Sequence, residues 1–226
     1  MENSLRNNSL RRTRGAYRVR AGAFDPRDYL DEVAALEKEW VALGNGASWS
    51  AIVLEKNGKP KLPGYGPDSR FWALARTLGT DIRRVALARL GPGGWIKEHR
   101  DINGAVLAGM LRFHFPLITH EEVIFKIDRV DYHLPEGDIW FLDTSYRHAV
   151  RNASQVHRVH LIVDFDSSSE VAELLPAKDL RDYVHQVGYL AACVGKALSL
   201  VGTPRVLLSR SRQAYHALVK RESATL

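Results

Sequence analysis

The chain has 226 residues, 45% of them apolar and 26% charged, with a formal net charge of +6. One core of that size can bury most of its apolar surface, and no apolar run approaches the roughly 20 residues that cross a bilayer. The single cysteine, Cys193, rules out an intramolecular disulfide, so a cytoplasmic protein with no membrane partner is expected.

Residues 1–22 carry Arg6, Arg11, Arg12, Arg14, Arg18 and Arg20 among Asn and Ser, and they lack the apolar stretch of a secretory signal. A flexible basic tail is expected there. Its basic residues are not interleaved with the aromatics of a stacking platform, which argues against nucleic acid as a partner.

Asp25-Pro26 reads as a cap and first helical residue, followed at helical spacing by Tyr29, Leu30, Val33, Leu36 and Trp40 up to Gly44. A shorter helix is expected from Asp68 through Phe71, Trp72, Ala75 and Leu78 to Gly79, with a strand at 49–54 between the two helices. From Ile82 the texture changes to short β-prone runs at 84–90, 110–118, 123–127, 131–134, 138–142 and 159–165. Such a series predicts a mainly β sandwich or small barrel over 23–170. Leu111, Phe113, Phe115 and Leu117 fall on one face of their strand, and Arg112, His114 and Pro116 on the other. Arg158, His160 and Ile162 likewise oppose Val159, Leu161 and Val163. Two strands thus each place an Arg and a His on one face. Residues 171–226 read as a helical extension, with helices at 179–200 and 203–220 linked at Gly202. The stripe of Tyr183, Val187, Leu190, Val194 and Ala197 is expected to bury against the barrel or, in a homo-oligomer, a second copy.

His99 and Asp101 form an H-x-D pair whose side chains point the same way in an extended segment, so both can reach one ion. Two histidines and a carboxylate make the facial triad of non-haem Fe(II). His148, after the 138–142 run and a turn at 143–145, is the third candidate, and on spacing alone His114, His157 and His160 stay open. Arg158, heading the next strand, is a natural partner for a carboxylate held in a pocket. Arg89 and Trp49 are candidate substrate-pocket residues.

The ordered blocks HRD from His99, LRFHFPLIT from Leu111, GDIWFLDTSYRHAV from Gly137 and RVHLIVDF from Arg158 resemble the aspartyl/asparaginyl β-hydroxylase family, including its bacterial proline hydroxylase relatives. The resemblance implies a double-stranded β-helix, the cupin-like jelly roll, with N-terminal supporting helices. It implies Fe(II) on His99, Asp101 and His148, and 2-oxoglutarate on Arg158, with Arg112 and His114 assisting. It further implies O2 as cosubstrate, with oxidative decarboxylation to succinate and CO2 coupled to hydroxylation. The carboxylate ligand Asp101 is retained, which fits hydroxylation better than halogenation. The expected substrate is an amino acid or amino-acid-derived small molecule. A residue in a peptide or a carrier-bound intermediate is the alternative, and a non-catalytic cupin-like metal sensor is the third reading.

Overall fold

The computed structural model describes residues 15–44, 46–101 and 109–201, in two compact units that divide between Ala177 and Lys178. The described part of the second unit is one helix, and the second C-terminal helix expected from the sequence lies outside the described residues.

The first unit is mainly β. Its strands are β1 (Ala16–Arg20), β2 (Val41–Ala42), β3 (Gly46–Lys56), β4 (Lys59–Pro60), β5 (Ile82–His99), β6 (Met110–Ile118), β7 (Val123–Ile127), β8 (Val130–Tyr132), β9 (Ile139–Leu142), β10 (His148–Asn152) and β11 (Arg158–Asp166). All pairings are antiparallel, in the order β1-β9-β6-β11-β5-β10-β7-β8, with β3 also alongside β5. This curled sheet is the double-stranded β-helix.

β6 and β7 have the bounds that alternation predicts. β5 runs to 18 residues because it serves two sheets in turn: 82–90 pair with β11, and 95–99 belong to the β10 side. It crosses between them at Gly91–Gly94, where the register against β3 shifts. A Cβ on Gly94 would sit 2.7 Å from the Gly91 carbonyl, so only glycine passes there. Buried Asn152 fastens the crossing, its amide lying 3.0, 3.1 and 2.8 Å from the carbonyls of Leu90, Gly91 and Val156. β3 and β4 close through Asn57-Gly58, both with positive φ, the two-residue turn whose twist suits a hairpin.

Two expectations are corrected. Ala16–Arg20, read as part of a flexible tail, form β1 on the edge of β9, with Ala16 buried in one apolar cluster with Ile127 and Tyr146. The long N-terminal helix is instead a 3-10 turn (Pro26–Tyr29), a short α1 (Leu30–Ala35) and a second 3-10 turn (Glu37–Glu39). Pairing of Val41 and Ala42 with Ala51 and Ser50 draws the chain out of the helical path. His148–Asn152, to which the sequence reading assigned no strand, form β10 between β5 and β7.

α2 (Arg70–Arg76) starts at Ser69, whose hydroxyl accepts from the Trp72 amide. Phe71, Trp72, Leu74 and Ala75 of α2, with Val33 and Leu36, pack on one face of the main sheet. That face is built from Leu111, Phe113, Phe115 and Leu117 of β6 and Val159, Leu161, Val163 and Phe165 of β11. Its opposite face lines a cavity, which Phe125, Ile127, Leu142 and Val150 of a second buried apolar cluster also line. In the second unit, α3 (Leu180–Val201) carries Tyr183, Val187, Leu190 and Val194, four residues of the stripe read from the sequence, exposed. No described helix is long and apolar enough to cross a membrane.

Candidate metal centre and carboxylate pocket

The cavity has a volume of about 550 Å³, and His99, Asp101, His148, Arg112, His114, Arg158 and Trp49 all line it. The inner face of the sheet supplies it row by row. Trp49 stands across from Leu90, and Leu90 across from Arg158; Ala51, Ala88 and His160 form the next row; Ala86, Ile162 and His114 the one after. The alanines leave the space that larger inward side chains would fill.

His99 ends β5 and His148 begins β10, and the two residues are paired across the strands. Asp101 follows two residues later, and its amide donates to the Thr144 carbonyl at 3.0 Å, tying it to the loop that leads into His148. The ligand atoms of the three residues lie within 4.8 Å of one another, the one such metal-competent cluster among the described residues. Each imidazole is oriented from behind: Nδ1 of His99 donates to the Lys97 carbonyl at 2.7 Å, and Nδ1 of His148 to the Tyr146 carbonyl at 3.0 Å. Both rings are thereby held with Nε2 turned toward the cluster, the arrangement that fixes tautomer and ring angle in metal sites. The imidazoles sit 4.2 Å apart between centroids, and His99 Nε2 is 3.4 Å from Asp101 Oδ1. Hydrogen bonding to Asp101 raises the His99 pKa, whereas burial lowers that of His148 and keeps its ring neutral. Burial alone would raise Asp101, but the hydrogen bond from His99 and the Arg112 charge outweigh it and hold the carboxyl well below its usual range. Two neutral-capable imidazoles and an ionised carboxylate are the donor set that Fe(II) takes.

Arg112 reaches Asp101 Oδ2 through Nη1 at 2.5 Å, while Nε and Nη2 grip Asp164 at 2.7 and 3.0 Å. Burial opposes the cation, yet Asp164 and Asp101 more than compensate and raise its pKa above the ordinary arginine value. Asp164, 1% exposed, was not singled out in the sequence, although it follows Ile162 on the inward face of β11.

Arg158 is 2% exposed and meets no carboxylate among the described residues. Nη1 has a long contact of 3.4 Å with the Ala88 carbonyl, Nε is buried without a partner, and the guanidinium lies 4.9 Å over the Phe125 ring. Burial pushes its pKa down to about 9, so it remains a cation at neutral pH but a poorly solvated one. Phe125 also stacks on His160, which is fully buried 3.3 Å from His114 between Nδ1 atoms. Burial, with Arg158 next in importance, drives the pKa of His114 far down and keeps it neutral.

Trp49 lines the cavity with its ring 6.4 Å from His99. Arg89 is not brought to the site. It sits one residue out of phase with the inward Ala88, holds Glu37 at 2.8 Å and covers Trp40 at 4.4 Å, so the expectation that it shapes the substrate pocket is corrected.

The fold resembles solved structures at low identity. One is the epimerase SnoN in complex with Fe3+, alpha ketoglutarate and nogalamycin RO, with 16% identity, 73% of this chain and 87% of that chain covered, and a TM-score of 0.50. A Pseudomonas putida prolyl-4-hydroxylase matches with 15% identity over 67% of this chain and 92% of that one, at a TM-score of 0.47. A Cupin 2 conserved barrel domain protein from Salinispora arenicola matches with 15% identity over 62% and 91%, at 0.38. At these identities the likeness is one of fold. The sequence profile described as Aspartyl/Asparaginyl beta-hydroxylase matches residues 26–168, from the first N-terminal turn past the end of β11. The chain therefore belongs to the aspartyl/asparaginyl β-hydroxylase family.

Proposed function

We propose that the protein hydroxylates a free amino acid or an amino-acid-derived small molecule, with His99, Asp101 and His148 holding Fe(II) and Arg158 binding the far carboxylate of 2-oxoglutarate. The observation that carries this reading is the pairing of two features in one cavity: two histidines and a carboxylate whose ligand atoms converge, and a buried guanidinium that meets no carboxylate among the described residues. An uncompensated buried cation costs stability, and a bound carboxylate would relieve that cost. Neutral His114 lies on the wall between the two ends, and Arg112 adds positive charge near the metal-proximal carboxylate while its own hydrogen bonds go to Asp101 and Asp164. The bound iron supplies O2 activation coupled to oxidative decarboxylation of 2-oxoglutarate. The chain supplies orientation, charge balance and an apolar wall of Phe125, Ile127, Leu142 and Val150 that excludes water. A cavity of about 550 Å³ suits a small molecule better than an extended chain.

The test is anaerobic addition of 2-oxoglutarate to the Fe(II)-loaded protein, followed by the visible metal-to-ligand band. Wild type is expected to show the band, His99→Ala to lose it, and Arg158→Ala to need far more 2-oxoglutarate. A folded, iron-loaded wild type without the band would leave a cupin-like binding role as the better reading.

A further inference from the structure

The cavity has further cationic side chains, Lys56, Arg84 and Arg100, that the iron and 2-oxoglutarate do not use. On the inner face of the sheet, Lys56 of β3 stands across from Arg84 of β5, Arg84 across from Asp164 of β11, and Asp164 across from Arg112 of β6. All four line the cavity. The row therefore holds three cations and one carboxylate, and that carboxylate is already gripped by both Nε and Nη2 of Arg112. Arg84 is left with a loose approach of 3.7 Å to the same Asp164 oxygen that Arg112 holds, although its side chain is only 30% exposed. Burial lowers its pKa, only partly offset by Asp164. A half-buried guanidinium fork in a ligand cavity, which among the described residues shares its one carboxylate with Arg112, is matched by a further carboxylate.

We propose that Arg84, with Lys56 beside it, is the anion subsite for the substrate, so that the substrate carries a carboxylate and is oriented by it. This rests on the hydroxylase reading above and names the feature of the substrate that the site selects. Arg84 and Arg112 come from strands either side of Asp164, and their guanidinium heads converge on one Asp164 oxygen, so Arg84 stands one residue beyond the arginine that touches Asp101. A small molecule anchored at Arg84 lies in the same cavity as the metal centre, which Ala86, Ile162, Trp49 and Leu43 also line. Arg158 lies three rows away, so the two carboxylate-binding arginines serve different molecules.

The experiment uses the full chain loaded anaerobically with Fe(II) and 2-oxoglutarate. The twenty free L-amino acids and their primary carboxamides are titrated by calorimetry and by perturbation of the visible band. At least one acid is expected to bind, and its amide at least tenfold more weakly. Arg84→Gln should weaken the acid tenfold or more and leave the amide nearly unchanged, erasing the discrimination. Arg84→Lys should keep part of it, and Lys56→Gln should cost two- to threefold. Arg89→Gln, outside the cavity, is the control and should change nothing. Equal binding of acid and amide, equal loss of both in Arg84→Gln, or no binding by any acid while the 2-oxoglutarate band is intact would each overturn the proposal. Absence of the band itself in wild type overturns the reading beneath it, and this proposal with it.

Discussion

Arg112 and Arg158 enter one cavity from neighbouring strands, both nearly removed from water, and they are treated in opposite ways. Arg112 is saturated by Asp164 and Asp101. Arg158 has an aromatic face beneath it and one weak carbonyl contact. The metal end is thus balanced before any ligand arrives, and the far end is left with a charge deficit. Pre-organisation explains the first: a metal ligand must be aimed, and Asp101 is aimed by its backbone bond to Thr144 and by Arg112. The proposed binding role accounts for the second, because a site for a dicarboxylate keeps its affinity only if no protein carboxylate competes for the same guanidinium.

Breaking the metal end should have the largest effect. His148→Ala removes one of the three ligands, and hydroxylation is expected to fall to background together with the bound iron, as read by metal analysis of the purified protein. At the other end, Arg158→Leu should weaken 2-oxoglutarate by about 30- to 1000-fold, the loss of a buried charge-assisted contact worth roughly 2–4 kcal/mol, while iron binding persists. The same variant sharpens the comparison through its sign on stability. Burial depresses the folded-state pKa of this cation, so its unfavourable contribution is fully present at neutral pH and eases only as pH rises through about 9. Replacing it with an apolar side chain should therefore raise the melting temperature of the ligand-free protein, by about 1–4 kcal/mol of stability. Asp164→Asn is predicted to act at the metal end through Arg112, and to leave Arg84 without the carboxylate it approaches. With Arg112 no longer neutralised from behind, iron affinity should fall about 10- to 100-fold, and 2-oxoglutarate affinity of the loaded enzyme should change less. The smallest effect belongs to Arg89→Ala, which removes an outward ion pair to Glu37 and should leave turnover and both affinities within about twofold.

Local pattern made much of this visible. Alternation in 110–118 and 158–165 separated the core residues Phe113, Phe115, Leu161 and Val163 from the cavity residues Arg112, His114 and Arg158, because a strand's period of two assigns faces without knowledge of its neighbours. The H-x-D pair was legible for the same reason. Arg89 was misjudged because the period says which residues share a face but not which face is inward: Ala88, small and unremarkable in the sequence, lines the cavity, and Arg89 points to Glu37. β1 was hidden by its composition, since its alternation carries arginines on an edge strand that only β9 defines. Asp164 was hidden among the apolar residues of its own strand.

The amino-acid sequence by itself determined the strand series, the division of β6 and β11 into a dry and a polar face, and the residue types of the triad, all of which depend on neighbours within a few positions. Tertiary structure alone decided which histidine stands beside His99 and Asp101, because that choice follows from β5 and β10 pairing across 49 residues of chain after the glycines of β5. It also decided which arginine is neutralised and which is left open. Counter-ion pairing is a property of distance in space, and Asp164 and Arg112 become neighbours only when β11 and β6 align.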